Sequence, residues 1–209
     1  MSNSGRLFCV LFLCAAFGGA VNSADAEGKR IKKSPLDKAT IYQPAISRSS
    51  PVRVRPFPTE NADLGTGANP KKPKYQEIAR QMQEEAPDLL LEKFLVQMAK
   101  YGFKDVSLLE GDEAIPDDAL VIVGEFTVLN PGSQGKRYGV GFGAGKSRIC
   151  AEGRVIDKEG KPLMDFEHCR HASMGFFGGN SEAQMTNDSS ATGSHLAEFL
   201  NQWADGRFE

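Results

Sequence analysis

Residues 139–147 read GVGFGAGKS, and a glycine run closing on Gly-Lys-Ser suggests a phosphate-binding loop. In that motif, G-x-x-x-x-G-K-[ST], backbone N–H groups wrap the phosphates and the lysine reaches the terminal ones. With Gly145 and Lys146 in the last two fixed positions, the first glycine falls at position 140, which is Val140. The loop must also open a helix, whose N-terminus holds the phosphate. The residues after Ser147, RICAEGRVID (148–157), alternate and end in a turn, the pattern of a strand. Gly139, Gly141 and Ala144 spell the dinucleotide pattern G-x-G-x-x-A but lack the same helix. Nucleotide binding is set aside, and no cofactor is expected.

Cys150, His168, Cys169 and His171 carry donor atoms suited to zinc. No C-x-x-C pair anchors a site, and on a strand His168 points away from both Cys169 and His171. No metal site is expected. A nucleophile–histidine–acid set would have to draw on His168, His171 or His195, and no G-x-S-x-G elbow is present. No catalytic residue is assigned.

Read as an extended segment, the glycine run has a different use. Tyr138, Val140, Phe142 and Ala144 fall on one face, and Gly139, Gly141, Gly143 and Gly145 on the other. One face is apolar and the other bare backbone, which lets a second layer approach closely. With Arg137, Lys146 and the adjacent aromatics Phe176 and Phe177 of the loop SMGFFGGNSEAQ (173–184), these glycines form the expected contact surface. Phe176 and Phe177 are alternatively a plug for the core.

The next hairpin can be registered. In RICAEGRVI (148–156) the apolar side is Ile149, Ala151, Gly153 and Val155; in LMDFEHCRH (163–171) it is Met164, Phe166 and His168. Apolar meets apolar only when paired numbers sum to 319, which centres the turn between Glu159 and Gly160. Arg154 then faces Asp165, Glu152 faces Glu167 unfavourably, and Cys150 lies opposite Cys169 on the polar face. A Cys150–Cys169 cross-strand disulfide is the hypothesis, and a one-residue slip would separate the two sulfurs.

These residues need elements to hold them. Arg6, the apolar run 7–21 and the small residues after it describe a secretory signal peptide at 1–26, with Ala24-Asp25-Ala26 as the cleavage site and cleavage after Ser23 as the runner-up. Cys14 would suit a lipid acceptor, but Leu13 before it is too large. Residues 27–72 are expected to be a basic, proline-rich linker or arm with a short strand at 51–57, near a sheet edge. Residues 27–74 hold 11 basic and 4 acidic side chains, against 13 and 22 in 75–209. The arm would therefore rest on anionic lipid or on the acidic domain. A single domain is expected over 73–205. Its first helix, 75–103, has a Met and aromatic stripe and either a kink or a break at Pro87. Strands come next at 104–110 and 119–129, and a last helix spans 188–204 with Leu196, Phe199, Leu200 and Trp203 as its apolar stripe.

The run Gly124-Glu125-Phe126, Gly132-Ser133, Lys136-Arg137-Tyr138 and Gly141 to Ser147, with the turn DKEGK, resembles the bacterial domain-of-unknown-function 4410 family over about residues 50–204. The resemblance implies an exported protein, often a lipoprotein, and brings no established activity or catalytic residue. The chain departs from it in lacking a convincing lipobox. More distantly, the layout resembles α+β domains of envelope-assembly lipoproteins. The expected fold is α+β: a mixed or antiparallel sheet of about five strands with two main helices on one face. The expected role is a non-enzymatic binding or assembly module in the periplasm or at the outer membrane, with an envelope protein as partner and no nucleic acid. The rival is a periplasmic hydrolase or small-ligand enzyme.

Overall fold

The computed structural model describes residues 27–111, 113–132, 147–171 and 181–208. Residues 1–26, where a signal peptide is expected, the glycine run with Arg137 and Lys146, and the Phe176–Phe177 loop lie outside the described residues.

The described chain forms seven strands: β1 (Lys29–Arg30), β2 (Lys38–Ile41), β3 (Val52–Val54), β4 (Val106–Leu108), β5 (Leu120–Asn130), β6 (Arg148–Ile156) and β7 (Pro162–His171). Helix α1 (Pro73–Lys100) lies between β3 and β4, and α2 (Ser181–Ala204) comes after β7. All strands join one mixed sheet in the order β1-β2-β7-β6-β5-β3-β4. β3 runs parallel to both β4 and β5, so α1 is the crossover that a parallel neighbour requires. The α+β expectation holds, with seven strands rather than about five.

The β6–β7 hairpin has the 319 register from Arg148↔His171 to Val155↔Met164. The register slips only at Ile156↔Pro162, beside the turn. There Asp157 accepts the Gly160 N–H through its carbonyl and the Lys161 N–H through its carboxylate. Gly160 sits at φ +85°, a left-handed conformation that glycine adopts without a steric penalty.

On α1, Ile78, Met82, Ala86, Leu90, Phe94 and Met98 recur every four residues and are buried. The helix runs through Pro87 unbroken, so the expected tandem pair is not formed. Proline deprives the Gln83 carbonyl of its usual partner. The Thr59 hydroxyl donates to that carbonyl at 3.1 Å, and Gln83 Nε2 returns a bond to the Thr59 carbonyl. The last helix starts at Ser181, before the expected 188, and buries Leu196, Phe199, Leu200 and Trp203 against α1 and the sheet. The helices meet closely at Gly193, where a Cβ would lie 2.1 Å from the Leu90 carbonyl oxygen.

Residues 27–72, expected from the sequence to be a linker or arm, contribute β1, β2 and β3 and bury Ile31, Leu36, Ala39, Ile41, Ile46 and Phe57. Each short strand joins an edge that the rest of the sheet supplies, so two to four residues suffice. β3 is short and second from an edge, as the flanking prolines require. The segment's positive charge is matched to the acidic part of the chain: Lys38 pairs with Glu167, Arg48 with Asp205 and Arg53 with Asp105.

Candidate functional site

Alternation sorts the strands onto two faces. Ala39, Ile122, Phe126, Val155, Met164 and Phe166 are buried and belong to the core. The opposite side chains on β2, β7, β6 and β5 form two rows in register. One is Lys38–Glu167–Glu152–Glu125 and the other Thr40–Asp165–Arg154–Val123. They line an open groove of about 710 Å³. Lys38 binds Glu167 at 2.5 Å, Arg154 binds Asp165 at 3.0 Å, and the Tyr42 hydroxyl donates to Asp165 at 2.5 Å. Glu125 and Glu152 face each other directly, and no cation among the described residues pairs with either. Like charges opposite each other weaken a sheet, so local stability does not account for this row.

Toward the open end of the hairpin, Cys150 and Cys169 form the expected disulfide, with Cα atoms 4.1 Å apart. The Cys169 N–H goes to Asp37 Oδ2 at 2.6 Å rather than across to Cys150. The cysteines thus occupy a non-hydrogen-bonded pair, the closely spaced kind. Arg148 reaches along the same face of β6 and lies on both sulfurs, Nε 3.1 Å from Cys150 Sγ and Nη2 3.4 Å from Cys169 Sγ. Cys150, expected on a polar face, is 2% exposed.

Asp37, one residue before β2, also lies 3.0 Å from His168 Nδ1, although the angle is not that of a well-formed hydrogen bond. His168 Nε2 meets His195 Nδ1 on α2 at 2.9 Å. A lone pair on His168 Nδ1 would face a carboxylate, so the arrangement assigns the proton to Nδ1; Nε2 then accepts from His195. His168 is 4% exposed. Burial first, then His195 and Arg170 against Asp37, brings its pKa down to about 4. Burial and Arg170 also lower His195. Asp188 on α2 is pushed up by burial against the pull of Arg170, 3.5 Å away. This chain of groups ties sheet to helix as neutral imidazoles. No hydroxyl or thiol among the described residues hydrogen-bonds to either ring, and neither ring lines the groove.

Of the expected contact surface, Arg137, Gly139, Gly141, Gly143, Gly145, Lys146, Phe176 and Phe177 lie outside the described residues. The segment after Lys146 is strand β6, not the helix a phosphate loop needs. Sequence reasoning did not find Asp37, which carries no motif, or the His168–His195 contact, which spans two elements. Arg148 had a readable signal: two residues before Cys150 on a strand, it shares that cysteine's face.

Residues 52–200 match the family model described as Domain of unknown function (DUF4410). The chain belongs to this family. No curated protein matches it. Among solved structures it is similar to the PelC dodecamer from Paraburkholderia phytofirmans, at 14% identity and a TM-score of 0.41. It is similar to a single-substitution variant of that dodecamer at 16% and 0.40. Each likeness covers 81% of this chain and 97% of that one. Similarities of this size carry no functional argument.

Proposed function

We propose that this protein is an exported, non-enzymatic binding module of the cell envelope, and that the acidic groove on its sheet receives a cationic segment of an envelope protein. The observation that carries the reading is the row Glu167–Glu152–Glu125, three carboxylates on adjacent strands, of which only Glu167 has a cation among the described residues. Two carboxylates facing each other with no cation among the described residues suit a partner that supplies positive charge. The Cys150–Cys169 disulfide fits an oxidising compartment and so supports export. The hydrolase alternative has a histidine pair and an acid, but His168 is buried, both rings have lowered proton affinity, and among the described residues no hydroxyl or thiol hydrogen-bonds to either ring.

The test is a pull-down from envelopes with the wild type and the Glu125→Gln/Glu152→Gln double variant, at low and high salt. Wild type should retain a partner that is lost at high salt and bound at least tenfold more weakly by the double variant. Equal retention by the double variant, if folded, refutes the charge-matched face. Export is tested separately: N-terminal sequencing of the mature protein should begin at Glu27.

A further inference from the structure

We infer that the Cys150–Cys169 bond is an exchange site for a dithiol reductant, with Cys169 the sulfur attacked and Cys150 the leaving group. This goes beyond the binding reading and does not depend on it.

Three observations converge. The two sulfurs differ in access, since Cys150 is 2% exposed and Cys169 is half-buried. They differ in electrostatics too. The Arg148 guanidinium reaches both sulfurs, Nε 3.1 Å from Cys150 Sγ and Nη2 3.4 Å from Cys169 Sγ, but on the Cys169 side the Asp37 carboxylate, bonded to the Cys169 N–H, offsets its charge. A thiolate released at Cys150 finds a charged donor already in place. A neighbouring cation lowers a thiol's pKa, and a thiol of lower pKa leaves faster. Finally, the bond closes a hairpin that seven other register pairs between Arg148↔His171 and Val155↔Met164 already hold, so breaking it leaves the hairpin its backbone pairing.

The chemistry balances. A thiolate of the reductant attacks Cys169 Sγ, a mixed disulfide forms, and the Cys150–Cys169 bond breaks with its electron pair passing to Cys150 Sγ. The reductant's second thiol loses its proton and displaces Cys169 Sγ, which takes up a proton. The protein gains two electrons and one proton, at Cys169; Cys150 keeps the negative charge that the attacking thiolate brought, beside Arg148, and the reductant becomes a disulfide. The site lies two pairs from the open end of the hairpin, so reduction frees the end remote from the turn.

The experiment treats folded protein with glutathione, quenches with iodoacetamide and maps both cysteines by mass spectrometry. Glutathione should appear on Cys169 and the carbamidomethyl group on Cys150. The reverse pattern overturns the assignment, and so does a reduction rate that matches global unfolding. Arg148→Gln should slow the exchange on the order of tenfold, because a neighbouring cation moves a pKa by about 1–3 units and exchange rates follow about half of that. Arg80→Gln, on α1 where it pairs with Glu77 and Glu84, should leave the rate unchanged. If Arg148→Gln folds and exchanges at the wild-type rate, the inference fails; if it does not fold, the wild-type labelling pattern decides.

Discussion

Acid should loosen this fold through His168, and the size of the effect is set by its surroundings. Burial holds the folded-state pKa at about 4, against 6.5 for an unperturbed histidine. Above pH 6.5 both states hold neutral imidazole and the group contributes nothing to the pH dependence. Between 6.5 and 4 the unfolded chain binds a proton that the folded chain refuses, so stability falls as pH falls. Below 4 the loss is complete, at about 3 kcal/mol, since each pKa unit is worth about 1.4 kcal/mol. The groups facing the ring are His195, Asp37 and Arg170, with Asp188 next in the chain. The raised pKa of Asp188 works the other way, because the folded state takes up its proton more readily as pH falls. Comparison with His168→Gln therefore isolates the histidine. Urea unfolding at pH 7, 6, 5 and 4 can be followed by the single tryptophan, Trp203, which is fully buried on α2. Wild type should lose about 3 kcal/mol more than the variant across this range. Parallel curves for the two proteins would refute the argument that burial sets the His168 proton affinity.

Three further outcomes rest on the packing. Gly193→Ala should destabilise the protein although alanine favours a helix by about 1 kcal/mol, because the new Cβ meets the Leu90 carbonyl at 2.1 Å; a raised melting temperature would contradict this. Thr59→Ala should cost about 1–2 kcal/mol in urea unfolding by leaving the Gln83 carbonyl unpaired at Pro87, and should cost much less in a Pro87→Ala background. Glu152→Gln should stabilise the sheet by a few tenths of a kcal/mol, about the size of a cross-strand like-charge penalty, with a destabilised variant as the contrary result.

The parts of the fold legible in the sequence were those whose signal is local. The hairpin register came from Val155, Gly153, Phe166 and Met164, because a period of two admits few alignments once a turn is placed. The disulfide came with it. The α1 ridge was legible because six buried residues recur every fourth position. β1 and β2 were not, since strands of two and four residues show almost no periodicity and depend on an edge built elsewhere. The continuity of α1 through Pro87 depends on Thr59, 24 residues upstream of Gln83. The acidic row was visible only as the unfavourable Glu152–Glu167 pair; Glu125 joined it once the β5–β6 register, with its bulge between Phe126 and Val128, was known.

The central claim is that the acidic groove on the sheet is where a partner binds. A photo-crosslinking residue in place of Val123, at the β5 end of the row Thr40–Asp165–Arg154–Val123 and next to the acidic row, tests it in intact envelopes, with Val96 on the solvent side of α1 as the control position. The account predicts one discrete crosslinked species from position 123, none from position 96, and its disappearance when Glu125 and Glu152 are both glutamine. Equal crosslinking from the two positions, or a discrete species from 96 alone, would contradict it.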